Sequence, residues 1–249
     1  MKPRLHFSRF EFKYVLTQKQ REALESEIQY FVELDPFTAG REGGRYFVRS
    51  LYFDDRSLTH YKEKVDGQMN RQKFRLRTYT NTEGDGTPRF LEIKGRYNNL
   101  VFKHRTPVKD GMDYDGPDNG FQNPVVAQLL SELPEGPIRD QFEFDSFRKR
   151  LRPAMLVDYW RRPYVSKYDA EFRITFDEQL SGTITNSLFP RPEDKRLSCI
   201  PGRTIVEVKF RYSMPKWFHR LIQSQELRRV SISKYCETIE THGLAPRID

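Results

Sequence analysis

The sequence predicts an α+β protein: an antiparallel β-barrel tunnel of about eight strands, with helices packed outside. Three observations lead there. Many stretches of strand length alternate apolar and charged residues, the mark of strands with two unlike faces. Several intervening segments carry one apolar stripe at helical spacing and need an apolar sheet face to cover. The charged residues of successive strands fall on one parity, and helices outside leave them the barrel interior.

The elements follow in order. Phe10, Phe12, Tyr14 and Leu16 alternate with Arg9, Glu11 and Lys13 in the opening strand, Phe7–Leu16. Thr17 then opens a helix, and Gln20 completes a capping box. Ala23, Leu24, Ile28, Phe31 and Val32 form its stripe, with Pro36 beyond its end. Strands are predicted at Arg45–Asp54, Arg71–Tyr79, Phe90–Gly95 and Leu100–Arg105, the last two joined by an Arg96-Tyr97-Asn98-Asn99 turn. Helices are predicted at Pro124–Leu133, with proline in the first turn, and at Ile138–Leu151. Further strands read at Ala154–Tyr164, Ala170–Phe176, Gly182–Asn186 and Thr204–Tyr212. Phe189–Arg203 holds Pro190, Pro192, Pro201 and Gly202 and reads as a loop. A helix from Pro215 to Leu227 and a short one starting near Ser233 complete the chain. With neither an internal repeat nor a linker between coherent halves, residues 1–249 read as one domain.

Composition narrows the function. Lys plus Arg number 43 against 35 Asp plus Glu, a net charge of +8 that favours an anionic partner. Mean hydropathy is −0.79 and no long apolar run occurs, which excludes a membrane-spanning helix. The first residues lack the apolar core of a signal peptide. The two cysteines, Cys199 and Cys236, form no CxxC pair and read as free thiols in a cytoplasmic protein. No GxxxxGK(S/T) loop and no HExxH appear, so any phosphate binding rests on side chains.

The polar parity carries the chemistry. Arg71, Lys73, Arg75 and Arg77 form a ladder on one face of one strand, with Phe74 and Leu76 behind it. Glu92 with Lys94, Lys103 with Arg105, Tyr159 with Arg161, Arg173 with Thr175 and Asp177, and Glu207 with Lys209 repeat the pattern. Like charges about 4 Å apart cost roughly 4 kcal/mol at an effective dielectric near 20. Such a face is expected to be wet and to hold a polyanion. Glu11, Glu92, Glu207 and Asp177 would offset part of the repulsion or hold a divalent metal through oxygen. An RNA-binding sheet fits poorly, because most aromatics lie on the parity opposite the cations and stacking platforms need both together.

Arg9-Phe10-Glu11-Phe12-Lys13-Tyr14, Ser50-Leu51-Tyr52-Phe53-Asp54, the Arg71–Tyr79 ladder, Phe90-Leu91-Glu92-Ile93-Lys94, Glu207-Val208-Lys209 and Ser233-Lys234-Tyr235 together resemble, in order, the motifs of the VTC domain. That domain is a branch of the CYTH or triphosphate tunnel superfamily. The resemblance implies a basic tunnel that binds ATP, triphosphate or polyphosphate, and a polyphosphate polymerase that moves the γ-phosphoryl of ATP onto a growing chain with divalent manganese or magnesium. It implies catalytic roles for Lys13, Arg75, Arg77, Arg173 and Lys234. Substrate binding falls to Arg71, Lys73, Lys94, Arg161 and Lys209, and the metal carboxylate to Glu207; from the residues themselves, Glu11 and Glu92 are further candidate metal ligands, Glu92 alternatively the salt-bridge partner of a wall cation, and Ser233 either binds phosphate or caps the last helix. Arg9 stands where the superfamily pattern ExExK has its first glutamate, which argues against the hydrolase and cyclase branches. The given sequence carries neither the SPX region nor the membrane segments of the eukaryotic members, so the likeness is to the bacterial-type stand-alone form. A membrane-protein partner would then receive the product. Hydrolysis of triphosphate or nucleoside triphosphate, or polyphosphate binding without catalysis, uses the same grip and stays open at this point.

Overall fold

The computed structural model describes residues 10–84, 86–97, 100–109 and 123–245. Phe7–Arg9, Asp85 and the Asn98-Asn99 turn lie outside them. In chain order the elements are β1 (Phe10–Thr17), α1 (Gln18–Ile28), β2 (Val32–Leu34), β3 (Tyr46–Asp54), α2 (Thr59–Val65), β4 (Arg71–Thr78), β5 (Arg89–Tyr97), β6 (Leu100–Val108), α3 (Pro124–Glu132), α4 (Pro137–Lys149), β7 (Arg152–Ser166), β8 (Arg173–Thr183), β9 (Arg196–Ser198), β10 (Arg203–Phe210), α5 (Lys216–Ser224) and α6 (Lys234–Thr241).

The strands pair in the order β1-β10-β8-β7-β3-β4-β5-β6, with β2 on β7 and β9 on β8. The fold is therefore α+β around a large, mainly antiparallel sheet, as the alternation predicts. Hydrogen bonds do not close it: β1 and β6 end the order and do not pair among the described residues. By contact the chain divides into two compact units. One holds the segments up to Phe47, Tyr159–Leu180 and Ile200–Ile232; the other holds Val48–Asp158, Ser181–Cys199 and the segment from Ser233 on.

In the first unit, β1 pairs with β10 and β10 with β8. Tyr14, Leu16, Ile174, Phe176, Val206 and Val208 share the apolar face, and α1 (Leu24, Ile28) and α5 (Phe218) cover it. Each such side chain contributes roughly 1.5–3 kcal/mol on burial. The capping box at Thr17 and Gln20 forms as predicted. Helix α1 ends at Ile28, however, and Val32 lies in β2 rather than on a helical stripe.

In the second unit, β3, β4, β5 and β6 form a meander. Leu51, Phe53, Phe74, Leu76, Leu91 and Ile93 face α3 (Val125, Val126, Leu129, Leu130) and α4 (Phe142). The Phe142 ring lies 5.4 Å from that of Phe53 and 5.2 Å from that of Phe74. These helices cover the apolar face, which leaves the charged parity on the other side.

Helix α6 departs from that plan. Its Tyr235 stacks on Tyr52, ring centroids 4.9 Å apart, and its Cys236 accepts a hydrogen bond from Lys73 at 3.5 Å. Tyr52 stands opposite Arg75, so α6 lies against the polar face. Gly182 of β8 permits the approach, since a Cβ there would stand 2.8 Å from Thr238 Cβ. The two strands predicted between Ala170 and Asn186 form one continuous β8, which Gln179 crosses with φ +55°.

Candidate functional site

The polar face of the second unit is a cationic grid set by register. Lys73 stands directly opposite Lys94, and Lys94 opposite Lys103. Arg71 stands opposite Arg96, and Arg75 opposite Glu92. Directly opposed residues have Cβ atoms about 4.5–5.5 Å apart, and like charges placed so are destabilising. Burial, with Arg96 beside it, pushes the Arg71 guanidinium down from its usual range; burial does the same to the Lys73 ammonium.

Glu92 anchors this grid. The fully buried carboxylate takes Arg75 Nη2 at 2.7 Å, Lys103 Nζ at 2.6 Å and Arg77 Nη1 at 3.6 Å. Burial alone would raise its pKa; Arg75, Arg77 and Lys103 outweigh that and hold it at about 2. Arg77 Nε also donates to Ser50 Oγ at 3.0 Å, and Arg75 Nη1 to the Tyr52 hydroxyl at 2.8 Å. The Tyr52 phenol is pulled down to about 8, because Arg75, Arg77 and Lys94 overcome the effect of burial.

The start of α6 belongs to the same face. Asp54 fixes it: its Oδ2 accepts the Tyr235 hydroxyl at 2.6 Å, and its two oxygens cap α2 through the His60 and Tyr61 backbone N–H groups. Lys73 Nζ sits 4.7 Å from the Tyr235 ring centroid. Lys234 is buried in the first helical turn, at the positive end of the helix dipole. Ser233 is the N-cap residue, yet its side chain makes no capping hydrogen bond.

The polar face of the first unit is more evenly balanced. Arg161 grips Asp177 with two 2.6 Å hydrogen bonds and reaches Glu207 at 3.0 Å. Burial opposes its charge, but Asp177, Tyr159 and Glu207 raise its pKa well above the usual value. Lys13 Nζ lies 3.3 Å from Glu11 and 3.6 Å from Glu207, and donates to the Ile232 carbonyl at 3.2 Å. Lys209 approaches Glu207 at 3.9 Å. Arg173 is the outlier: its side chain is 55% exposed and Asp35 lies 3.8 Å from it.

The structure thus gathers Lys13, Glu11, Arg161, Glu207 and Lys209 in one unit, and Arg71, Lys73, Arg75, Arg77, Glu92 and Lys94 in the other, the latter with the Ser233-Lys234 turn. Sequence reasoning counted Lys103 in the recurring polar parity and Tyr52 and Asp54 in a family motif, but gave none of the three a site role. No cluster of three or more His, Cys, Asp or Glu suited to a metal occurs among the described residues. Glu11 and Glu207 do flank a single ammonium, and two carboxylates with phosphate oxygens are the donor set a magnesium-like ion uses. Glu92, enclosed by three cations, has the surroundings of an ion-pair anchor.

Fold and site together define an α+β protein whose antiparallel sheet presents ordered, cation-rich polar faces. The chain belongs to the VTC domain family, whose model matches residues 8–242. Among solved structures it is similar to a putative adenylate cyclase from Bacillus halodurans, with 11% identity, a TM-score of 0.50, and coverage of 90% of this chain and 92% of that one. A protein from Pyrococcus horikoshii shows 10% identity and a TM-score of 0.46, covering 93% and 98%. No curated protein matches the chain.

Proposed function

We propose that the protein binds triphosphate, ATP or polyphosphate and transfers the γ-phosphoryl of ATP onto a growing polyphosphate chain with manganese or magnesium. One observation carries the reading: Lys73, Lys94 and Lys103 stand directly opposite one another across three neighbouring strands. A chain of phosphates offers a negative charge at each step and would relieve that repulsion. Membership of the VTC domain family supports the same ligand class.

The assigned chemistry is positioning and charge neutralisation, the main protein contribution to phosphoryl transfer. Arg75 and Arg77, held by Glu92, Tyr52 and Ser50, supply preoriented guanidinium forks for phosphate oxygens. Lys13 and Arg173 in the first unit, and Lys234 in the second, supply charge that neutralises phosphate oxygens. Phosphate binding falls to Arg71, Lys73, Lys94 and Ser233 in the second unit and to Arg161 and Lys209 in the first. Glu207 and Glu11 would hold a divalent metal, which when bound takes up charge on phosphate oxygens.

Purified protein incubated with ATP and manganese or magnesium tests the proposal. Long-chain polyphosphate supports it. Free phosphate alone replaces transfer with hydrolysis on the same grip. Tight triphosphate binding without turnover makes the protein a binding module.

A further inference from the structure

We infer that the Thr175 hydroxyl is a ligand-binding group that donates a hydrogen bond to a phosphate oxygen. The inference rests on the anion-binding reading above and concerns a residue outside the set assigned there.

Thr175 lies on β8 between Arg173 and Asp177, on their side of the strand, and directly opposite Glu207 in register. Ile174 and Phe176, its neighbours, point into the apolar core. Thr175 is 8% exposed, yet its Oγ1 has no hydrogen-bond partner among the described residues. A buried hydroxyl without a partner is destabilising, and valine would fill the same space in a strand without that penalty.

The surrounding carboxylates are engaged elsewhere. Both oxygens of Asp177 accept from Arg161, and Glu207 receives Arg161, Lys13 and Lys209. An acceptor brought from outside would satisfy the hydroxyl. The face bears Lys13, Arg161, Arg173 and Lys209 against Glu11, Asp177 and Glu207, an excess of positive charge that favours an anionic oxygen. A hydroxyl also adds what the cations lack, a short directional donor.

The test compares the wild type with Thr175→Val and Thr175→Ser. Melting temperature is measured without ligand, and affinity for tripolyphosphate is measured by calorimetry without metal. Thr175→Val is expected to melt at or above the wild-type temperature and to bind at least about tenfold more weakly, the effect of losing a hydrogen bond to a charged group. Thr175→Ser keeps the donor and is expected to retain affinity. Wild-type affinity in Thr175→Val overturns the inference, and so does a fall in its ligand-free melting temperature, which marks a structural hydroxyl. Absence of tripolyphosphate binding by the wild type overturns the anion-binding reading itself, and this inference with it.

Discussion

Tyr52 shows how much a single residue reports about its surroundings. Its phenol accepts from Arg75 and titrates at about 8 rather than 10.0. The folded protein therefore releases this proton earlier than the unfolded chain. The stabilising contribution grows as pH rises from about 8 to about 10, and is lost as pH falls through about 8. Phenolate absorbance should show one tyrosine titrating near pH 8, absent in Tyr52→Phe and moved upward by tripolyphosphate, which offsets the cations. Simultaneous titration of all tyrosines near their ordinary value would contradict this. Glu92 works in the acid range. Held at about 2 against 4.5, its contribution is complete above 4.5 and disappears as pH falls toward 2. Glu92→Gln should cost about 3 kcal/mol or more, because Arg75 keeps a buried charge without its carboxylate, and should weaken the acid dependence of denaturant midpoints. For Glu207→Gln, loss of metal-dependent turnover with metal-free triphosphate affinity retained or increased supports a metal role. Retained activity with a modest stability loss would reduce Glu207 to an anchor for Lys13, Arg161 and Lys209.

At the scale of elements, β4, β5 and β6 act together because their register is fixed. Alternation along β4 was readable from Arg71 to Arg77, since a period of two is a property of neighbours in sequence. That Lys73, Lys94 and Lys103 form a row was not readable: a slip of one residue would send every side chain of a strand to the other face. Replacing Lys94 by Met should weaken triphosphate binding by removing the central cation of the row. Unfolding midpoints with and without tripolyphosphate check this: the stabilisation gained from the ligand should shrink in the variant, whereas a merely structural lysine would leave that gain unchanged. Helix α6 was foreseen near Ser233, but its seat on the polar face was not. Gly182 and Asp54 create that seat, each far from α6 in the chain. Gly182→Val should displace α6 through Thr238 and His242, lowering the melting temperature and, on the proposed assignment of Lys234, the affinity for tripolyphosphate.

Over the whole molecule, the net charge of +8 and the cationic grid make anion binding a stability term. Tripolyphosphate at about 100 times its dissociation constant should stabilise the fold by roughly 2.7 kcal/mol. Added salt should reduce the gain where the contacts are solvent-exposed. Thermal unfolding with tripolyphosphate and with RNA oligonucleotides tests this. A shift with RNA alone would transfer the protein to the nucleic-acid-binding class. Among the described residues no helix is long and apolar enough to cross a membrane, in line with the low mean hydropathy.

The sequence alone determined where the longer strands lie, which of their faces is charged, and where α1 and α3 begin, but not the short strands β2, read as part of a helix, and β9, read as part of a loop. Those features depend on the side-chain period and on caps within a few residues. The motif order also pointed to the family that the chain belongs to. Tertiary structure decided which carboxylate answers which cation, which lysines oppose one another and which buried hydroxyls lack a hydrogen-bond partner among the described residues. Arg161 meets Asp177 across 16 positions and Glu207 across 46, and Tyr235 meets Asp54 across 181. Such pairings follow from strand register and helix docking, which bring together residues whose local sequence carries no trace of one another.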